Sequence, residues 1–148
     1  MTAAGRRPRS KTLAAWLALG LGAIGVHRIY LYGWRDLAAW LHPVPTLMGL
    51  AGVVRMRNLG QDDRIAWLLI PMLGTMLSIA AATAILWALM PDERWDQRHN
   101  GGLPTHGARW GAVLAAVVGL LLGGMVLMGT IAFALQKFFE WQLTLPGA

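Results

Sequence analysis

Cysteine is absent from all 148 residues. That excludes disulfides, thiol nucleophiles, thiolate metal sites and iron–sulfur clusters. Charge is scarce too. Asp, Glu, Lys and Arg make up 14% of the chain, against about 25% in a soluble domain. Acidic residues are the rarer sign, seven against thirteen Lys and Arg. Hydrophobic residues reach 56% and mean hydropathy is +0.49, which also excludes a disordered chain. What remains is an integral membrane protein, with a length that suits one compact all-α bundle.

Four apolar stretches are present: Thr12 to about Val26, Leu37 to Val54, Ile65 to Met90, and Trp110 to Leu135. A helix rises about 1.5 Å per residue and needs about 20 apolar residues to cross a bilayer core. The last two are 26 residues each and long enough to cross with tilt. The first two are short and borrow from their flanks, the second being interrupted by Pro43 and Pro45. The expectation is four transmembrane helices in two hairpins. The boundaries are a basic tail 1–11, a hairpin 12–57, a loop 58–64, a second hairpin 65–141 with a loop 91–109, and a tail 142–148. A cleaved signal peptide is disfavoured, because no A-x-A-like site precedes His27.

The net charge of +6 sits between apolar stretches, so it reads as topology signal and lipid headgroup contact rather than nucleic-acid binding. With four spans and the N-terminus inside, eight Lys and Arg fall on the cytoplasmic side and five on the far side. Both termini are then cytoplasmic, with 27–36 and 91–109 outside. Arg6, Arg7, Arg9 and Lys11 are the expected contacts to anionic headgroups. Trp34, Trp40, Trp87, Trp95 and Trp110 fall near far-side ends, and Trp16, Trp67 and Trp141 near cytoplasmic ends. This is the interfacial belt that amphipathic rings favour. Ala14, Ala18 and Gly22, then Ala80, Ala84 and Ala88, then Gly119 and Gly123 recur at four-residue spacing. Such faces let helices pack closely in lipid, chiefly within one bundle.

Gly20, Gly22 and Gly25 spell G-x-G-x-x-G, but inside an apolar span rather than between strand and helix, so no nucleotide site is expected. The stretch from Gly25 to Gly33 is the most informative in the chain. Gly25, His27, Arg28, Tyr30 and Leu31 follow an Ala/Leu/Gly-rich helix. This resembles the TM-two domain family, a two-helix membrane hairpin with the signature G-x-H-R-F-Y-L-G. Ile29 stands where the family has Phe, Tyr32 where it has Gly, and Gly33 follows one residue late. The resemblance covers about residues 11–57 and implies a fold rather than an activity. By their own chemistry, Arg28 can reach phosphates, Tyr30 and Tyr32 can anchor a turn, and His27 can bond back into the hairpin.

His27 and His42 could ligate haem from facing helices, as imidazole pairs do. His99 and His106 with Asp96 match no strong zinc spacing, and 91–109 reads as a solvated loop. The four spans as bounded above contain no Asp, Glu, Lys or Arg, and no inverted repeat is evident in them, which argues against a small transporter. No nucleophile–base set or carboxylate pair suggests catalysis. The reading is a non-enzymatic inner-membrane protein that packs against a larger membrane complex. Gly25, His27, Arg28, Tyr30, Tyr32, Gly33, Trp34 and Trp40 are its packing or partner residues. No cofactor or metal is expected, and bound phospholipid is. A haem- or quinone-binding anchor subunit is the alternative, and a small transporter the second.

Overall fold

The computed structural model describes residues 8–104 and 109–144, and among them every regular element is a helix. These are α1 (Lys11–Leu21), a 3-10 turn (Gly22–Ile24), α2 (Val26–Tyr32), α3 (Leu37–Leu41), α4 (Pro43–Leu59), α5 (Arg64–Ala88), α6 (Asp92–His99) and α7 (Arg109–Leu143).

Local chemistry sets the boundaries. Ser10, Asp36 and Asp63 cap α1, α3 and α5, each side-chain oxygen accepting from a backbone N–H of the first turn. Pro43 opens α4 where a missing N–H costs nothing. Leu37–Leu59 therefore runs as one apolar span of 23 residues.

Among the described residues three helices are long and apolar enough to cross a membrane: Leu37–Leu59, Arg64–Ala88 and Trp110–Leu143. The sequence led us to expect four. The first segment, Lys11–Ile24, is only 14 residues, about 21 Å at helical rise. The chain turns at its end. Gly25 adopts φ +82°, and α2 runs back toward the start of α1. The Tyr30 hydroxyl accepts from the Ser10 N–H at 3.0 Å, and Ala14 and Leu31 pack in one buried cluster. Gly25 has no room for a side chain, since a Cβ there would land on the Ala39 carbonyl.

Helix α5 is the central element, with α4, α1 and α7 packed mainly on it. The small-residue faces are spent on this packing. Ala14, Ala15, Ala18, Ala80, Ala84 and Ala88 are all buried. Gly22 lies against Ala80, and Gly123 against Ala81. In lipid, such close approach supplies the dispersion contacts that hold helices together.

The ends of the bundle differ from expectation as well. The Arg9 N–H donates to Asn100 Oδ1 at 2.7 Å, the Trp95 indole donates to the Arg9 carbonyl at 2.8 Å, and Lys11 Nζ donates to the Met90 carbonyl at 3.0 Å. The N-terminal segment and the start of 91–109 therefore share one end, where opposite membrane faces were expected. Trp16 joins them, its indole bonded to the Gly111 carbonyl. The α7 C-terminus lies at the other end, beside Arg64 and Gln61. The stretch read as a solvated loop contains α6. Its Trp95 is fully buried and closes the mouth of the α1–α2 hairpin.

Candidate functional site

Turn one, between α2 and α3, gathers most of the residues singled out from the sequence. Arg28 is ion-paired within the turn. Its Nε donates to Asp36 Oδ2 at 2.7 Å, and its guanidinium lies 5.2 Å from the Tyr32 ring centre. The bond from Arg28 holds the Asp36 carboxyl below its usual range. Gly33, at φ +86°, ends α2 with its N–H bonded to the Ile29 carbonyl. The Trp40 indole donates to the Trp34 carbonyl at 2.9 Å, and the two rings sit 6.0 Å apart on the outside.

Beneath this turn, His27 is 3% exposed. Its ring meets His42 edge-on at 5.4 Å and Trp87 at 5.4 Å. The expected bond back into the hairpin is missing from Nδ1, which has no hydrogen-bond partner. His42 Nδ1 donates to the Ala38 carbonyl at 2.6 Å. The two imidazoles meet edge to face rather than facing each other in parallel. Among the described residues no cluster of three metal-ligating side chains exists. His106 lies outside the described residues, as do Arg6 and Arg7. Burial pushes the His99 imidazole below its usual pKa, and its ring stacks on Trp95. Lys11, expected at headgroups, is paired with Asp92.

Turn two, between α4 and α5, repeats turn one. Arg28, Gly33, Trp34, Asp36 and Trp40 correspond to Arg55, Gly60, Gln61, Asp63 and Trp67, each 27 positions later. Across 22–42 and 49–69, nine of 21 residues are identical. The geometry repeats with them. Arg55 donates to both Asp63 oxygens, at 2.8 and 3.1 Å. Gly60 takes φ +96° with its N–H on the Met56 carbonyl. Asp63 caps α5 through the Ile65 N–H, as Asp36 caps α3 through Ala38. The Trp67 indole donates to the Gln61 carbonyl at 2.6 Å. Bonding from Arg55 holds Asp63 below its usual range. Because one span separates the turns, they lie at opposite ends of the bundle.

Sequence reading missed Asp36, Asp63 and the repeat. The available signal was R-x4-G-x2-D-x3-W occurring twice at a fixed offset. No protein-family model matches this chain, and no curated protein or solved structure is significantly similar to it.

Proposed function

We propose that this chain is a non-enzymatic accessory subunit of a bacterial-type cytoplasmic membrane, one that docks on a larger membrane complex through the aromatic end at turn one. One observation carries the reading. Trp34 and Trp40 are 71% and 53% exposed on a turn whose guanidinium, carboxylate and indole N–H groups are bonded internally. A stiff aromatic surface at headgroup level loses little entropy on docking, and Trp is among the residues that dominate interfaces. Leu37 and Leu41, at 80% and 66% exposed, extend it down the span. The small-residue faces do not take part in this docking, because the bundle's own packing uses them. The TM-two resemblance of 11–57 is compatible with this role, with α1–α2 as a re-entrant hairpin in place of a first span.

Orientation follows from the same arrangement. Grouping the N-terminal segment with 27–36 and 91–109 puts nine of the thirteen Lys and Arg on one side. Arg55, Arg57, Arg64 and Lys137 remain on the other. The positive-inside rule makes the nine-residue side cytoplasmic and the C-terminus external. Three spans thus separate the charges more sharply than four.

Extraction in several mild detergents, then native electrophoresis with identification of co-migrating chains, tests the docking. A large complex in wild type that is lost in Trp34→Ala/Trp40→Ala is expected. Migration only as a small free species would sink the reading. Orientation is tested by impermeant thiol labelling of intact cells: Asp62→Cys reacts and Asn100→Cys does not, and the reverse pattern overturns it.

A further inference from the structure

At the turn-two end, α5 and α7 part around an open cavity of about 580 Å³. Its wall changes character along its length. Leu68, Pro71, Ala134 and Phe138 form an apolar lower part, and Arg64, Trp67, Lys137 and Trp141 form the rim. The rim lies where the spans begin and end, at the level that headgroups occupy around an embedded bundle.

Lys137 is the unusual member. It is 7% exposed, although it lies near the end of an apolar helix. A buried ammonium needs compensation. Nζ donates to Glu140 Oε2 at 2.6 Å and at long range, 3.5 Å, to the Gln61 carbonyl, and it stands 4.8 Å from the Trp67 ring centre. An ammonium has three donors, so one is left without an acceptor among the described residues. Glu140 also accepts from Gln136 at 2.8 Å, so each of its oxygens already has a donor. Arg64 meets only the Thr144 hydroxyl, at 3.4 Å, and no carboxylate among the described residues. The rim therefore carries one neutralised ion pair and one uncompensated guanidinium, above an apolar channel between two spans.

We propose that this cavity binds one anionic phospholipid, its phosphate held between Arg64 and Lys137 and an acyl chain laid against Leu68, Pro71, Ala134 and Phe138. Charge selects the headgroup, since a zwitterionic lipid brings its own cation toward Arg64. The apolar wall selects a lipid over a free phosphate ester. A guanidinium and an ammonium above an apolar channel match a phosphate and its acyl chain by charge-assisted hydrogen bonds and burial.

Native mass spectrometry of the delipidated full chain in mild detergent tests the site, with dioleoyl phosphatidylglycerol and dioleoyl phosphatidylcholine as probes. One phosphatidylglycerol is expected to bind in preference to phosphatidylcholine. Arg64→Gln and Lys137→Gln should each cut its affinity about fivefold, the equivalent of about 1 kcal/mol per cation at a membrane surface. Ala134→Trp fills the apolar wall and should lower lipid occupancy with every charge retained. Far-UV circular dichroism checks folding. If Lys137→Gln unfolds, the exposed positions Arg64 and Ala134 decide the matter. Excess glycerol phosphate should fail to displace the lipid. Equal affinity for the two lipids, unchanged preference in Arg64→Gln, or displacement by glycerol phosphate each overturns the proposal.

Discussion

Turns one and two share their residues, spacing and hydrogen bonds, yet the helices leading into them differ. α4 enters turn two unbroken over 17 residues, and Gly52 within it is helical. α2 enters turn one after seven residues, because its counterpart Gly25 is left-handed and breaks the helix. The cause lies elsewhere in the chain. The Thr46 hydroxyl donates to the Ala23 carbonyl at 2.6 Å, giving that buried carbonyl at the break a partner. The position 27 residues after Thr46 is Leu73, which has no donor and packs instead on Gly49. Nearby residues build the turn itself, and a distant hydroxyl meets the chain only at the turn whose preceding glycine ends a helix.

The sharpest test of that contrast exchanges the glycines. Gly25→Ala meets both a left-handed backbone, costing about 1–2 kcal/mol, and an immovable carbonyl, costing about 1–3 more. Gly52→Ala meets only the packing cost, against Leu69 and Ile70. Thermal unfolding in mild detergent, followed at 222 nm by circular dichroism, should show Gly25→Ala much the less stable. Equal losses would mean that the break at Gly25 is incidental.

A smaller effect is expected at the distant side chain. Thr46→Val keeps the shape and removes the donor, leaving the Ala23 carbonyl unpaired at about 1–3 kcal/mol. Thr83→Val removes a hydroxyl on a half-buried residue that bonds only its own helix at Ile79, so it should be nearly neutral. Comparable destabilisation by both variants in the same assay would remove Thr46 from the explanation.

The smallest effect is one of pH, and it should affect both turns alike. Asp36 and Asp63 are each held below the ordinary carboxylate pKa by an arginine. A depressed folded-state pKa means that the stabilisation is complete above the unfolded value, near 3.9, and is lost as pH falls through the folded value. Unfolding midpoints should thus be flat above about pH 5 and decline below about pH 4. Asp36→Asn and Asp63→Asn should each blunt the decline. Asp63→Asn should blunt it more, because Arg55 engages both its oxygens. Undiminished acid sensitivity in the double variant would assign the decline to other groups.

Much of this was legible in the chain. Spans 65–90 and 110–135 announce themselves by length, and structure extends the second only to Leu143. The pairing of small residues was readable from Ala80, Ala84 and Ala88 at four-residue spacing. Hydropathy does not show that the first segment turns at Gly25, because the contacts around the turn come from distant residues: the Ala39 carbonyl against Gly25, the Thr46 hydroxyl on the Ala23 carbonyl, and Trp87 beside His27. Asp36 and Asp63 were not singled out from the sequence. Their role shows only when each is paired with the arginine eight residues earlier. The aromatic belt was grouped differently at one position: Trp16 bonds the Gly111 carbonyl, which puts it at the same end as Trp95 and Trp110 rather than opposite them.

The α1–α2 hairpin also bears on the order in which its contacts are made. Ala15 is sealed by Ala88 together with Ala112, Ala115 and Ala116, and Leu31 is covered by Trp95. The surfaces that hold the first segment in place are thus made well after it. At about 5–20 residues per second, roughly 5–20 seconds pass between synthesis of Ala15 and of Ala116. Through that interval the N-terminal segment, 14 residues long with Arg and Lys before it, has no finished groove to enter. Its burial is complete only once α5 and the start of α7 have been made.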